Sequence, residues 1–203
     1  MTICLVTDRR RADPVAQARW AVEAGIDLVQ IRERDLDGAA LCALVGAVLG
    51  VAKGSATRVV VNDRVDVAVA TGADGVHLRS DSFSIAEARR LLPRPLLIGR
   101  SIHSPGEARA AHDGDYLVAG TVFASPSKPD TTALLGIDGL RAIVCATAAP
   151  VLAIGGITLA RLDDVAAAGA AGIAAIGLFT AEQSLRECVR TIRSRFDSMK
   201  PAP

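Results

Sequence analysis

Between residues 3 and 196 the chain alternates short β-branched runs with longer Ala-rich stretches of helical period, and it does so eight times. The apolar runs, each expected to be a strand, are 3–6, 28–31, 59–61, 75–78, 96–99, 116–119, 151–154 and 173–176. Each precedes a helical pattern, at 15–24, 38–52, 65–71, 85–91, 105–112, 137–146, 159–168 and 185–196. Recurring strand–helix units predict parallel strands joined by crossovers, and eight of them predict an α/β fold, a compact (β/α)8 TIM barrel, rather than an open sheet. The segments AGIDLVQI, TGADGVHL and GAAGIAAI each place a helix-ending Gly or Ala before the next strand, as successive helix-to-strand junctions require. One domain over 1–203 is expected, with 198–203 as a frayed tail. One connection is long: ASPSKPDTTALLG, between Phe123 and Gly136, follows the sixth strand on the face where barrels carry their active sites, and a mobile lid is the natural expectation.

Composition narrows the function classes. Half of the 203 residues are apolar but only six are aromatic, so the core must be built from Ala, Val, Leu and Ile, as in tightly packed α/β folds. A formal net charge of +1 with interspersed signs gives no field for nucleic acid or for an anionic membrane, and neither is expected as a partner. Cys4, Cys42, Cys145 and Cys188 lie far apart without CxxC spacing and read as reduced core residues. The start MTICLVTDRRR has no long apolar segment or cleavage motif, and no uncharged apolar run reaches the length of a membrane span. A soluble, cytoplasmic protein is expected, and a homo-oligomer is compatible with the sequence.

In a barrel the residues just past each strand converge on one rim. After the third and fourth strands stand Asp63 and Asp81, two hard oxygen donors whose strand ends would be neighbours; with no His or Cys cluster, that pair suits Mg²⁺ shared with a substrate phosphate rather than zinc. Each aspartate has a plainer reading, Asp63 as the cap of the following helix and Asp81 in a solvated turn. After the second strand, alternation sends Gln30 and Arg32 to one side and Ile31 and Glu33 to the other. Gln30 and Arg32 facing inward would call for a ligand, whereas pairing of Arg32 with Glu33 or Asp35 would place it at the surface. Asn62 precedes Asp63. Ser101 either caps at a strand–helix junction or offers its hydroxyl to a ligand. In the sixth loop Thr121, Ser125, Ser127 and Lys128 could clamp a pyrophosphate, with Lys128 offsetting charge as a leaving group departs, or form an ordinary polar loop. Gly155 and Gly156, with Gly177 after Ile176 at the end of the last strand, would let backbone N–H groups approach an anion. His77 falls inside a strand and reads as a packed residue, His103 as a cap or rim residue, and His112 as exposed and inert.

These residues stand in motifs. LVTD (Leu5–Asp8), QIRERD (Gln30–Asp35), VNDRVDVA (Val61–Ala68), GADGVHL (Gly72–Leu78) with Asp81, SIHS (Ser101–Ser104), GTVFASPSKP (Gly120–Pro129) and AIGGI (Ala153–Ile157) follow in order. With them the chain resembles the thiamine phosphate synthase and TenI superfamily over nearly its whole length. The resemblance implies a barrel and a transferase that joins an aminopyrimidine methyl pyrophosphate to a thiazole phosphate with loss of pyrophosphate. It implies Mg²⁺ on Asp63 and Asp81, pyrophosphate on Arg32, Asn62 and Lys128, and pyrimidine on Gln30 and Ser101. Lys128, Ser101 and Arg32 would carry the chemistry, Ser125 and Ser127 would hold the thiazole side, and Gly156, Ile176 and Gly177 would form its phosphate site. The expected partners are therefore small phosphorylated substrates.

Three features depart from the synthase pattern. Arg34 stands where a lysine is usual, Arg79-Ser80 replaces Gly-Gln before Asp81, and IRER (Ile31–Arg34), SFS (Ser82–Ser84) and IGRSIHS (Ile98–Ser104) resemble the TenI branch, whose known activity is thiazole tautomerisation. That branch uses a histidine in GHVF, where this chain has Thr121 in GTVF. The synthase is the expectation; a TenI-like tautomerase and a non-catalytic barrel that binds thiamine precursors are the alternatives.

Overall fold

Each apolar run pairs in parallel with the runs before and after it, and the first returns to the eighth, so the sheet closes on itself. The structure, a computed structural model, describes residues 1–92, 95–125, 133–179 and 182–198. Around the barrel run β1 (Thr2–Val6), β2 (Leu28–Ile31), β3 (Arg58–Asn62), β4 (Gly75–Leu78), β5 (Leu97–Ile102), β6 (Tyr116–Ala119), β7 (Val151–Ile154) and β8 (Gly172–Ala175). Between and after them lie α1 (Pro14–Ala24), α2 (Gly38–Ala52), α3 (Val65–Thr71), α4 (Ile85–Leu91), α5 (Pro105–Ala110), α6 (Gly136–Val144), α7 (Leu162–Ala167) and α8 (Glu182–Ser198). Every expected strand and helix is present. The largest boundary shifts are of three residues: β5 runs that far past the expected Gly99, α7 starts three residues later than expected and α8 three earlier. None of the described helices is long and apolar enough to cross a membrane.

Alternation along the strands makes two cores. Outward-facing Ile3, Leu5, Val29, Ile31, Val59 and Val61 and their counterparts in later strands pack against the helices. Inward-facing Cys4, Val6, Leu28, Val60, Tyr116, Val118, Leu152 and Ala174 fill the barrel. Gly99 on β5 keeps that interior narrow, since a Cβ there would lie 2.1 Å from Tyr116 Cζ.

At the N-terminal end one device is used three times. Asp27, Asp74 and Asp115 immediately precede β2, β4 and β6, and each accepts the N–H of a residue on the strand before it. The donors are Ile3, Val59 and Ile98, each at 2.7 Å. Each aspartate donates its own N–H back to the carbonyl of the same residue, at 2.9 to 3.1 Å. Before β8 the equivalent position is Ala171, whose N–H reaches Val151 O at 2.8 Å without a side chain to reciprocate.

Helix starts follow the usual cap chemistry. Asp13, Asp37, Ser84 and Ser104 accept N–H bonds from the first turns of α1, α2, α4 and α5, and Ser84 forms a full capping box with Glu87. Neither rim aspartate is among these caps: the N-cap of α3 is Arg64, with no side-chain cap bond, and Ser84 serves α4. Of the cysteines expected in the core, Cys4 and Cys188 are buried, whereas Cys42 is half-buried and Cys145 exposed; all four are free thiols. Burial pushes the Cys4 thiol up to about 12, which makes it a packing residue. The centre of the expected lid (126–132) and the end of the expected tail (199–203) lie outside the described residues.

Candidate active site

A cavity of about 810 Å³ opens at the C-terminal mouth of the barrel. Its floor is made by inward residues at the strand ends: Val6, Gln30, Asn62, His77, Ser101 and Val118. Strand register explains the grouping, because Gln30 lies beside Val60 while Asn62 lies beside His77, one step further toward the rim. Gln30 Nε2 donates to Asn62 Oδ1 at 3.0 Å, so the two amides present a joined polar edge. Ser101 lies within β5 and does not cap α5; its Oγ is 2.9 Å from His77 Nε2. His77 is buried, as expected of a packed strand residue, yet its edge reaches the cavity.

One wall is cationic. Arg10, Arg32, Arg34 and Arg79 line it, with Asp8, Glu33 and Asp35 among them. Burial presses Arg32 below its ordinary pKa, and repulsion from Arg34 adds to this while Asp8 and Glu33 oppose it. An anion bound at Arg32 would relieve both effects. Arg32 does not form the surface pair with Asp35, which instead binds Arg9 at 2.6 Å.

Glu33 is not on the helix-facing side that simple alternation predicts. β2 ends at Ile31, so the pleat no longer dictates direction, and Glu33 turns inward to become 6% exposed. There it accepts from Thr7 Oγ1 at 2.7 Å and from the Arg9 N–H at 3.2 Å. Thr7 Oγ1 in turn accepts the Arg32 N–H at 3.1 Å. This network ties the first two loops together beneath Arg32.

The opposite side of the mouth is the glycine corner. Gly155 and Gly156 have φ of 99° and 61°, and a Cβ on Gly156 would lie 2.4 Å from Ala124 O, so only glycine fits the turn. Gly156, Ile176, Gly177 and Ser125 all line the cavity. Arg161 closes this side: its guanidinium stacks 4.2 Å from the centroid of Phe123 and its Nη1 donates to Gly156 O at 3.2 Å. Sequence reasoning passed over Arg161; the available signal was its place five residues beyond the glycine pair, at the start of the following helix. Thr121 is buried on the cavity wall, and His103 also lines it, with Nδ1 against Gly120 O. His112 is exposed, as expected. Ser127 and Lys128 lie outside the described residues.

Neither rim aspartate is among the residues lining this cavity; Arg79, which does line it, joins the two through its guanidinium. Arg79 Nη2 pairs with Asp81 Oδ2, while Nη1 is 3.8 Å from Asp63 Oδ2. Asp63 has φ of 59°, the one non-glycine residue in the left-handed region among those described, and its Oδ1 accepts the Arg79 N–H at 3.3 Å. Among the described residues no group of three or more His, Cys, Asp or Glu side chains is placed to hold a metal ion. Two hard oxygen donors converging on a cationic stand-in fit a Mg²⁺ that takes most of its shell from substrate oxygens and water; they do not form an all-protein cage.

A family model described as thiamine monophosphate synthase matches residues 3–179. The chain is 40% identical over 185 residues to the thiamine-phosphate synthase of Methanoregula boonei, covering 90% of this chain and 86% of that one. It is 44% identical over 172 residues to the thiamine-phosphate synthase of Anaeromyxobacter dehalogenans, covering 84% and 76%. Among solved structures, the thiamine phosphate pyrophosphorylase of Pyrococcus furiosus superposes with a TM-score of 0.86 at 32% identity, over 98% of this chain and 97% of that one. The chain belongs to the thiamine monophosphate synthase family and is an enzyme of the transferase class.

Proposed function

We propose that the protein is a thiamine phosphate synthase working by dissociative displacement. The observation that carries the reading is one mouth holding a joined amide edge with a serine, a wall of arginines and a glycine corner, which suit an aminopyrimidine, a pyrophosphate and a second phosphate. The methylene–oxygen bond of the aminopyrimidine methyl pyrophosphate breaks, and its electron pair leaves with pyrophosphate. The thiazole nitrogen then gives its lone pair to the methylene carbon, forming the new C–N bond of thiamine phosphate.

Little acid–base work is needed; the demand is for positive charge where the leaving group gathers negative charge. Arg32 and Arg79 supply it from the wall, with Asn62 orienting the phosphate oxygens; the family resemblance assigns Lys128 to the pyrophosphate and Ser127 to the thiazole side. Gln30 and Ser101 hold the pyrimidine. Gly156, Ile176 and Gly177, with Ser125 beside them, receive the thiazole phosphate on backbone N–H groups. Asp63 and Asp81 would hold Mg²⁺ when Arg79 withdraws from them, and the ion would supply charge neutralisation at the pyrophosphate. The four free thiols suit a reducing, cytoplasmic setting.

The reading is separated from a tautomerase by substrate. Purified protein offered a thiazole carboxylate phosphate without metal should leave it unchanged, whereas isomerisation under those conditions would make the tautomerase the activity of this chain.

A further inference from the structure

Beneath the cavity three side chains form a line. Tyr116 Oη is 3.2 Å from His77 Nδ1, and His77 Nε2 is 2.9 Å from Ser101 Oγ. The histidine and tyrosine rings stack with centroids 5.5 Å apart, and both residues are buried. Burial, with a smaller contribution from Arg100, lowers the His77 pKa to about 3, so the ring is neutral, with one nitrogen donating and the other accepting.

Partner accounting assigns the tautomer. Burial raises the Tyr116 phenol well above its ordinary pKa, so it keeps its proton. Among the described residues His77 Nδ1 is the hydrogen-bond partner of that hydroxyl, and the absent Cβ of Gly99 is what gives the ring its berth. A buried O–H left unmatched is costly, so the phenol donates to Nδ1. Nε2 then carries the ring proton and donates to Ser101 Oγ. Ser101 is left with its own hydrogen to give, and it lines the cavity.

We propose that Tyr116 and His77 are positioning residues that commit Ser101 to donating a hydrogen bond upward, so that the cavity floor selects a heteroaromatic ring presenting an unprotonated nitrogen there. A C–H or N–H at that point would leave the serine donor unmet. The direction of the relay stands on the partner accounting for the three side chains; naming the ring as the aminopyrimidine rests on the proposed function.

Two measurements test it. Long-range ¹H–¹⁵N correlation on ¹⁵N-histidine protein, with His77 assigned by elimination through His103→Gln and His112→Gln, should show a protonated Nε2 and a bare Nδ1. Tyr116→Phe should lose that single pattern. Calorimetry with the aminopyrimidine and its two deaza analogues, each with one ring nitrogen replaced by C–H, should show one analogue binding about tenfold more weakly to wild type. That gap should close in Ser101→Ala. A protonated Nδ1 in the wild type overturns the relay, and so does a deaza penalty that is the same with and without the serine hydroxyl. Failure of the wild type to bind the aminopyrimidine at all would count against the proposed function, and the relay would then be decided by the tautomer.

Discussion

Asp63 receives Arg79 twice: its Oδ1 accepts the Arg79 N–H at 3.3 Å and its Oδ2 lies 3.8 Å from the Arg79 guanidinium. The same guanidinium pairs with Asp81, so this chain keeps a cation of its own between the two acids. All three side chains are at least a quarter exposed, which limits the worth of the pairing. Removing it should nevertheless favour an external cation. Arg79→Ala is expected to bind Mn²⁺ about fivefold more tightly than wild type, read by electron paramagnetic resonance in the absence of substrate. Equal affinities would mean that Arg79 does not compete for the acids.

The aspartates before β2, β4 and β6 should carry stability rather than activity, because they lie at the end of the barrel away from the cavity. Asp74→Ala removes a charge-assisted acceptor from the Val59 N–H and should cost about 2 kcal/mol in denaturant unfolding. Ala171→Asp supplies the missing fourth acceptor and should raise the unfolding midpoint, by up to about 1 kcal/mol. A lower midpoint would show that the β7–β8 junction cannot accommodate the device.

Gly99→Ala places a Cβ 2.1 Å from Tyr116 Cζ. The ring has to move, at an overpacking cost of about 1–3 kcal/mol. Since Tyr116 and Ser101 are linked through His77, affinity for the aminopyrimidine should fall along with the unfolding midpoint. A variant with unchanged stability and affinity would show that the interior is looser than its packing.

His77 also sets a pH dependence with a definite sign. Its folded pKa, lowered to about 3, lies below its ordinary value of 6.5, so between those limits the unfolded chain binds the extra proton. The contribution is complete above about pH 6.5 and is lost as pH falls toward 3, at about 1.4 kcal/mol per pH unit in the middle of that window. Wild type should therefore lose stability more steeply than His77→Gln between pH 6 and 4 in urea titrations. Parallel curves would remove His77 from the acid sensitivity.

The barrel was legible because its evidence is periodic. Eight changes from β-branched runs to helical pattern leave few other topologies, and glycines such as Gly25 and Gly72 mark where helices turn back. The rim was legible as far as strand alternation reaches: Gln30, Asn62 and Ser101 do face one cavity. Alternation stops at Ile31, which is why Glu33 was placed on the wrong side. Asp63 sits in the left-handed region, a backbone turn that a run of residue types does not announce, and so its attachment to Arg79 was invisible. Tyr116 lay hidden for another reason: it reads as one more apolar strand residue until Gly99 and His77 are seen beside it.

The central claim is bond formation between two phosphorylated heterocycles. Purified protein, the aminopyrimidine methyl pyrophosphate, the thiazole phosphate and Mg²⁺ should yield thiamine phosphate and pyrophosphate in equal amounts, followed by chromatography, with Arg32→Ala losing most of the rate. Binding of both substrates without thiamine phosphate would contradict the account.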